Sequence, residues 1–111
     1  MSDESVVKHL AKELDKADLL LLKAADALET FGHCKYRLRD DQGRMCLVGA
    51  LLFAKTGKSH FPDDKFVASS IIRVPFLRIE KSVGEPVSWN NAPERTAEEV
   101  IATLRRVAWE G

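Results

Sequence analysis

Only two cysteines, Cys34 and Cys46, occur in the 111 residues, too few for the disulfide framework of a small secreted domain. The opening residues Met1 to Ser5 carry two acids and no basic stretch, and no signal-peptide core follows. We therefore expect a cytoplasmic protein with both thiols reduced. No apolar run approaches the roughly 20 residues that a membrane-spanning helix needs, so no membrane contact is expected. Charge of one sign is missing as well: 17 basic and 17 acidic side chains cancel. Without a net field, neither a phosphate backbone nor an anionic bilayer is attracted from a distance. The chain has no Gly-rich phosphate loop, no G-x-S-x-G elbow and no H-E-x-x-H pair, so phosphoryl transfer and metalloprotease chemistry have no support. Internal repeats and low-complexity tracts are also absent, which leaves no linker at which to divide the chain.

What is present fits one domain over residues 1–111. Apolar residues make up 45% and charged residues 31%, a globular balance, in a chain long enough to close one core. From Val7 the apolar positions step by three and four through Leu10, Leu14, Ala17, Leu21, Ala24 and Leu28 to Phe31, which predicts one heptad-striped helix ended by Gly32. That helix would be about 40 Å long at 1.5 Å per residue, longer than such a domain is wide. Residues 1–16 are therefore expected to overhang as a helical arm, with Val7, Leu10 and Leu14 available to a second copy in a homodimer.

Tyr36 and Leu38 alternate with polar neighbours ahead of Asp40, Asp41, Gln42 and Gly43, which suggests a minor β-hairpin or an ordered loop over 35–45. Cys46 to Ala54 has no polar face and should be the central buried helix, stopped at Gly57. Gly49 inside it costs about 1 kcal/mol against alanine, so a neighbouring backbone is expected to approach it closely. Another helix should start near Pro62 or Asp63, with Pro75 forcing a break and Phe76, Ile79 and Val83 forming a short piece before Gly84. Residues 85–93 read as loop. Thr96 with Glu99 forms a capping box for a final helix lined by Val100, Ile101, Leu104 and Val107. The fold class expected is mainly α, a small helical bundle around a central apolar helix.

Several residues invite a chemical role. Cys46 opens the apolar helix, where the helix dipole and free amides favour a thiolate; with His33 or His60 as base and Asn90 or Asn91 as orienting group, a thiol-dependent hydrolase or transferase can be drawn. Free cysteines are, however, mostly buried as small hydrophobes. Cys34, Cys46, His33 and His60 could be counted as zinc ligands, but the paired short spacings of structural zinc are missing, so neither metal nor cofactor is expected. Val87 to Pro93, with Trp89, Asn90 and Asn91, can lock the last helix or line a pocket. Lys35, Arg37, Arg39 and Arg44 surround Tyr36 and form the one patch suited to nucleic acid, though Asp40 and Asp41 lower its potential.

Gly32 and His33, Asp41 to Arg44, Cys46 to Ala50, Trp89 to Asn91, and Arg95 to Val100 together resemble an uncharacterised domain-of-unknown-function family of small bacterial and phage proteins. Its pattern runs G-W, D-x-x-G-R, C-x-x-G-A, W-N-D and T-x-x-E-V. The resemblance covers residues 19–108, with His33 standing where the family has tryptophan and Asn91 where it has aspartate. It implies no transferable activity and points to a phage or mobile-element setting. The combined expectation is a small non-enzymatic module for protein interaction or regulation, with a protein partner or itself as the first candidates. Interaction or pocket residues would be Val7, Leu10, Leu14, Arg44, Trp89, Asn90 and Asn91.

Overall fold

A computed structural model describes residues 15–58 and 64–110. Among these the architecture is mainly helical: α1 (Lys16–Phe31), α2 (Leu47–Thr56), α3 (Lys65–Ile71), α4 (Arg73–Val83), α5 (Pro86–Asn91) and α6 (Ala97–Glu110). Helix α1 lies against both α2 and α6, and α4 and α5 close the remaining sides. No described helix is long and apolar enough to cross a membrane.

The long heptad helix expected from Val7 is corrected at Asp15. That residue is extended, at φ −78° and ψ 178°, and α1 begins immediately after it. Asp18 N–H donates to Asp15 Oδ1 at 2.8 Å and Asp15 N–H donates to Asp18 Oδ2 at 3.1 Å. This reciprocal cap satisfies two otherwise orphaned amides and sets acids at the positive helix end. Such a local gain outweighs continuation of the stripe. Apart from Asp15 and Lys16, the expected arm over 1–16, with Val7, Leu10 and Leu14, lies outside the described residues.

Helix α2 is the buried centre, with Leu47, Val48, Gly49, Ala50, Leu51 and Leu52 all inside. Cys46 caps its start and Gly57, at φ 70°, ends it in the left-handed conformation. The close approach expected at Gly49 is present: a Cβ there would fall 1.9 Å from the Leu38 carbonyl oxygen. Any larger residue would push the 32–46 loop off the helix.

That loop has no described strand. Single bridges join Met45 to His33 and to Arg39, and Met45 is fully buried, so the hairpin alternative gives way to the ordered loop. The segment is held by a few bonds across itself and is tied to α5 through Asn90 and Asn91. Cys46 N–H donates to Leu38 O at 3.2 Å, Cys34 N–H to Met45 O at 3.0 Å and Met45 N–H to Gly32 O at 3.0 Å.

Two further expectations change. The break attributed to Pro75 falls at Ile72, a buried residue with φ −115° and ψ 29°; Pro75 then occupies the first turn of α4, where a missing N–H costs nothing. Residues 85–93, read as loop, contain α5, because Pro86 starts the turn and the Glu85 carboxylate accepts from Val87 N–H at 2.7 Å and Ser88 N–H at 3.1 Å. The start expected near Pro62 or Asp63 lies outside the described residues, and α3 is described from Lys65. Helix α6 carries the expected capping box, with Glu99 N–H donating to Thr96 Oγ1 and Thr96 N–H to Glu99 Oε1, both at 3.2 Å.

Candidate functional site

Residues quoted for the family resemblance meet around the N-terminus of α2. A helix start leaves amides without partners, and the sulfur of Cys46 is a weak acceptor. It takes Gly49 N–H at 3.4 Å, which leaves Leu47 N–H unanswered. Asn90, buried on α5, supplies the missing oxygen: its Oδ1 accepts from Leu47 N–H at 3.0 Å and lies 2.7 Å from His33 Nε2. An amide oxygen only accepts, so His33 Nε2 carries the proton in this bond. The Asn90 Nδ2 donates to Cys34 O at 3.3 Å and Asn91 Oδ1 at 3.0 Å. One neutral side chain thus ties α5, the loop and α2 together.

Asn91 extends the tie. Tyr36 is exposed and sits at φ 68°, a left-handed conformation that a non-glycine residue adopts at some cost. Its N–H donates to Asn91 Oδ1 at 2.9 Å and its hydroxyl to Asn91 O at 3.3 Å, which holds the turn against that strain.

The structure joins His33 to Asn90 but turns Cys46 onto its own helix. Cys46 is 8% exposed, and burial pushes its thiol pKa up against the lowering pull of the Gly49 and Val48 amides. Cys34 Sγ lies 3.3 Å from both Arg37 O and Arg44 O. Its thiol is pushed up to about 11 by burial and by the neighbouring Cys46 and Asp40. Both cysteines are free. His60 lies outside the described residues, and no group of three or more His, Cys, Asp or Glu suited to a metal occurs among the described ones.

The basic cluster does not converge. Lys35 Nζ donates to Ala92 O at 2.6 Å and Pro93 O at 3.2 Å, at the C-terminal end of α5. Arg37 faces Asp41 at 3.8 Å. Arg39 lies 5.7 Å from the ring centres of both Phe31 and Phe53, with one guanidinium nitrogen buried and without an acceptor. Arg44 Nε donates to Asp40 Oδ2 at 2.6 Å, and Asp40 Oδ1 accepts from Arg44 N–H at 2.8 Å and Gln42 N–H at 3.0 Å. Desolvation pushes the Asp40 carboxyl up, but these Arg44 and Gln42 bonds together hold it below its ordinary value.

Trp89 is half-buried against the core, with the Arg95 guanidinium 4.2 Å from its ring centre. Arg95 also donates to Trp89 O and to Glu99 Oε2, both at 2.9 Å. The Trp89 turn is thereby fastened to the first turn of α6.

The model of the family of unknown function DUF6197 matches residues 12–110. The chain belongs to that family. No curated protein and no solved structure matches it. Sequence reasoning about this DUF6197 member missed a second buried polar centre, at the opposite end of α1. Asp18, on the inner face of α1, accepts from Arg78 Nη1 at 2.6 Å, while Arg78 Nη2 donates to Val107 O at 2.5 Å and Ala108 O at 3.4 Å. The signal was present: Asp18 falls between Ala17 and Leu21 on a stripe that is otherwise apolar, where a carboxylate needs a buried partner.

Proposed function

We propose that this DUF6197 member is a non-enzymatic helical module that works by binding another protein, in a cytoplasmic and phage or mobile-element setting. One observation carries the reading: the polar side chains gathered at the start of α2 direct their hydrogen bonds at backbone and at each other. Asn90, Asp40, Arg95 and Lys35 each hold a loop or a helix end. A nucleophile needs an accessible thiol of lowered pKa; Cys46 is buried and raised. The basic side chains of the 35–44 loop engage carbonyls, acids and rings of their own chain, which favours a protein over a nucleic acid as partner.

The test is alkylation of Cys46 in a Cys34→Ser background. If the module reading holds, the folded protein reacts roughly 100-fold or more slowly than the unfolded chain, since the thiol is reached only through opening of the fold. Rapid reaction with a midpoint below the ordinary thiol value of 9.0 would overturn it and restore the thiol-dependent hydrolase or transferase. The self-association part rests on Val7, Leu10 and Leu14 and is tested separately by sedimentation. A concentration-dependent dimer lost in Leu10→Glu supports it, and a strict monomer at high concentration removes it.

A further inference from the structure

Away from the Asn90 network, a cleft of about 470 Å3 opens where the start of α1, the end of α2 and the α3–α4 junction meet. Its lining is apolar at Leu20, Ile71, Val74 and Pro75 and basic at Lys16, Lys55 and Arg73. Arg73 is unusual among the arginines of this molecule. Arg37, Arg44, Arg78, Arg95, Arg105 and Arg106 each face a carboxylate of the same chain, and Arg39 lies between two rings. Among the described residues, Arg73 is the arginine left with neither, and Lys16 and Lys55 beside it have no carboxylate. The acid at the cleft, Asp15, is occupied in capping α1 and lies 3.9 Å from Arg78.

The apolar surface continues beyond the cleft. Val74 is 59% exposed, Val67 48% and Leu77 43%. Val67 and half-buried Ile71 lie on α3 and Val74 and Leu77 on α4, on either side of the Ile72 break, and the same two helices pack into the core through Ala68, Ile72 and Ile79. An apolar surface of this kind, two helices wide, accepts the apolar face of another helix, and cations at its edge select which one.

Resting on the interaction-module reading, we propose that this cleft and surface dock an acidic amphipathic helix of a distinct partner protein, its apolar face on Ile71, Val74 and Leu77 and its carboxylates on Lys16, Lys55 and Arg73. A second copy of the chain suits the cleft less well. Four acids of α1 and α6 already pair within the chain, Asp26 and Glu29 with Arg105, Glu99 with Arg95 and Glu110 with Arg106, which leaves exposed Glu98 on these two helices for a second copy to offer.

The experiment is a fluorescence-anisotropy titration of the full chain with a labelled synthetic helix of about five turns, with Leu at heptad positions and Glu on the flanks. The expected result is saturable binding, weakened by salt and at least about tenfold stronger than to the same peptide with Lys in place of Glu. Arg73→Glu and Lys55→Glu, on different helices, should each weaken binding about tenfold or more, as should Val74→Glu. All three side chains are exposed, so unchanged thermal unfolding of the variants is the accompanying control. Equal binding of the basic peptide, or indifference to all three substitutions, overturns the proposal. So does absence of peptide binding together with self-association that Val74→Glu abolishes, which would assign the cleft to a second copy. A reactive Cys46 would overturn the non-enzymatic reading while leaving this titration as it stands, so the two failures are distinguishable.

Discussion

Asp18 and Asn90 are each 1% exposed, yet one is a charge and the other a neutral amide, and their surroundings account for the difference. Asp18 stands in the first turn of α1, where the helix dipole favours an anion, and it faces Arg78. Arg78 in turn reaches the Val107 and Ala108 carbonyls in the last turn of α6, where the dipole favours a cation. Two opposite charges thus answer each other and two opposite helix ends. Asn90 meets only one helix end, the start of α2, together with a histidine and the Cys34 carbonyl. A buried carboxylate there would have no arginine to neutralise it, whereas an amide can accept and donate at once without carrying charge. The comparison teaches that buried polarity in this molecule follows the number of helix ends to be satisfied.

The sharpest way to break that comparison is Arg78→Ala, which takes the opposite charge away from the buried Asp18 carboxylate and the guanidinium away from the Val107 and Ala108 carbonyls. A loss of about 3–5 kcal/mol in urea unfolding is expected. The double change Asp18→Leu with Arg78→Met should recover much of that loss, because an apolar pair removes the uncompensated charge. If it is as damaging as the single change, the charges themselves are required. Asn90→Leu comes next: it strands Leu47 N–H and the His33 ring, at about 1–3 kcal/mol for each buried group left unsatisfied. A change below about 0.5 kcal/mol, as for a neutral surface position, would show that the amide network is dispensable.

Smaller effects come from titration. The Cys34 thiol, raised from 9.0 to about 11, favours its neutral form in the folded state more than in the unfolded one. Its contribution is full below pH 9.0 and is lost as pH rises toward about 11. The thermal midpoint should therefore fall over that window, and less steeply in Cys34→Ser; identical slopes would remove Cys34 as the cause. Smallest is the acid limb. Asp40, its side chain only 11% exposed and held below its ordinary value of 3.8 mainly by Arg44, contributes above that value. The contribution is lost as pH falls beneath it. Arg44→Met should flatten this limb, with chemical denaturation at successive acid pH values as the measure.

What could be read in the residues follows from range. The Thr96 and Glu99 box, the stops at Gly32, Gly57 and Gly84, and the cap position of Cys46 each depend on residues within about one helical turn, and the structure has them where they were expected. Gly49 was legible too, because a glycine inside an apolar helix needs a close neighbour. The identity of that neighbour, Leu38, was not. At Asp15 the heptad stripe suggested continuation, and the Asp15 and Asp18 pair, equally local, overrode it. The Ile72 break and α5 escaped because proline was read as an interruption, whereas Pro75 and Pro86 both sit in a first helical turn.

By itself the sequence determined the helical class, most helix ends and the apolar rod at the centre, since periodicity and caps act over a few residues. Only the tertiary structure decided that Asn90 serves the start of α2, that Arg78 joins Asp18 to the end of α6, and that Lys16, Lys55 and Arg73 share one cleft. Those pairings span dozens of residues, and only the packed core brings the groups within hydrogen-bonding distance or onto a common surface.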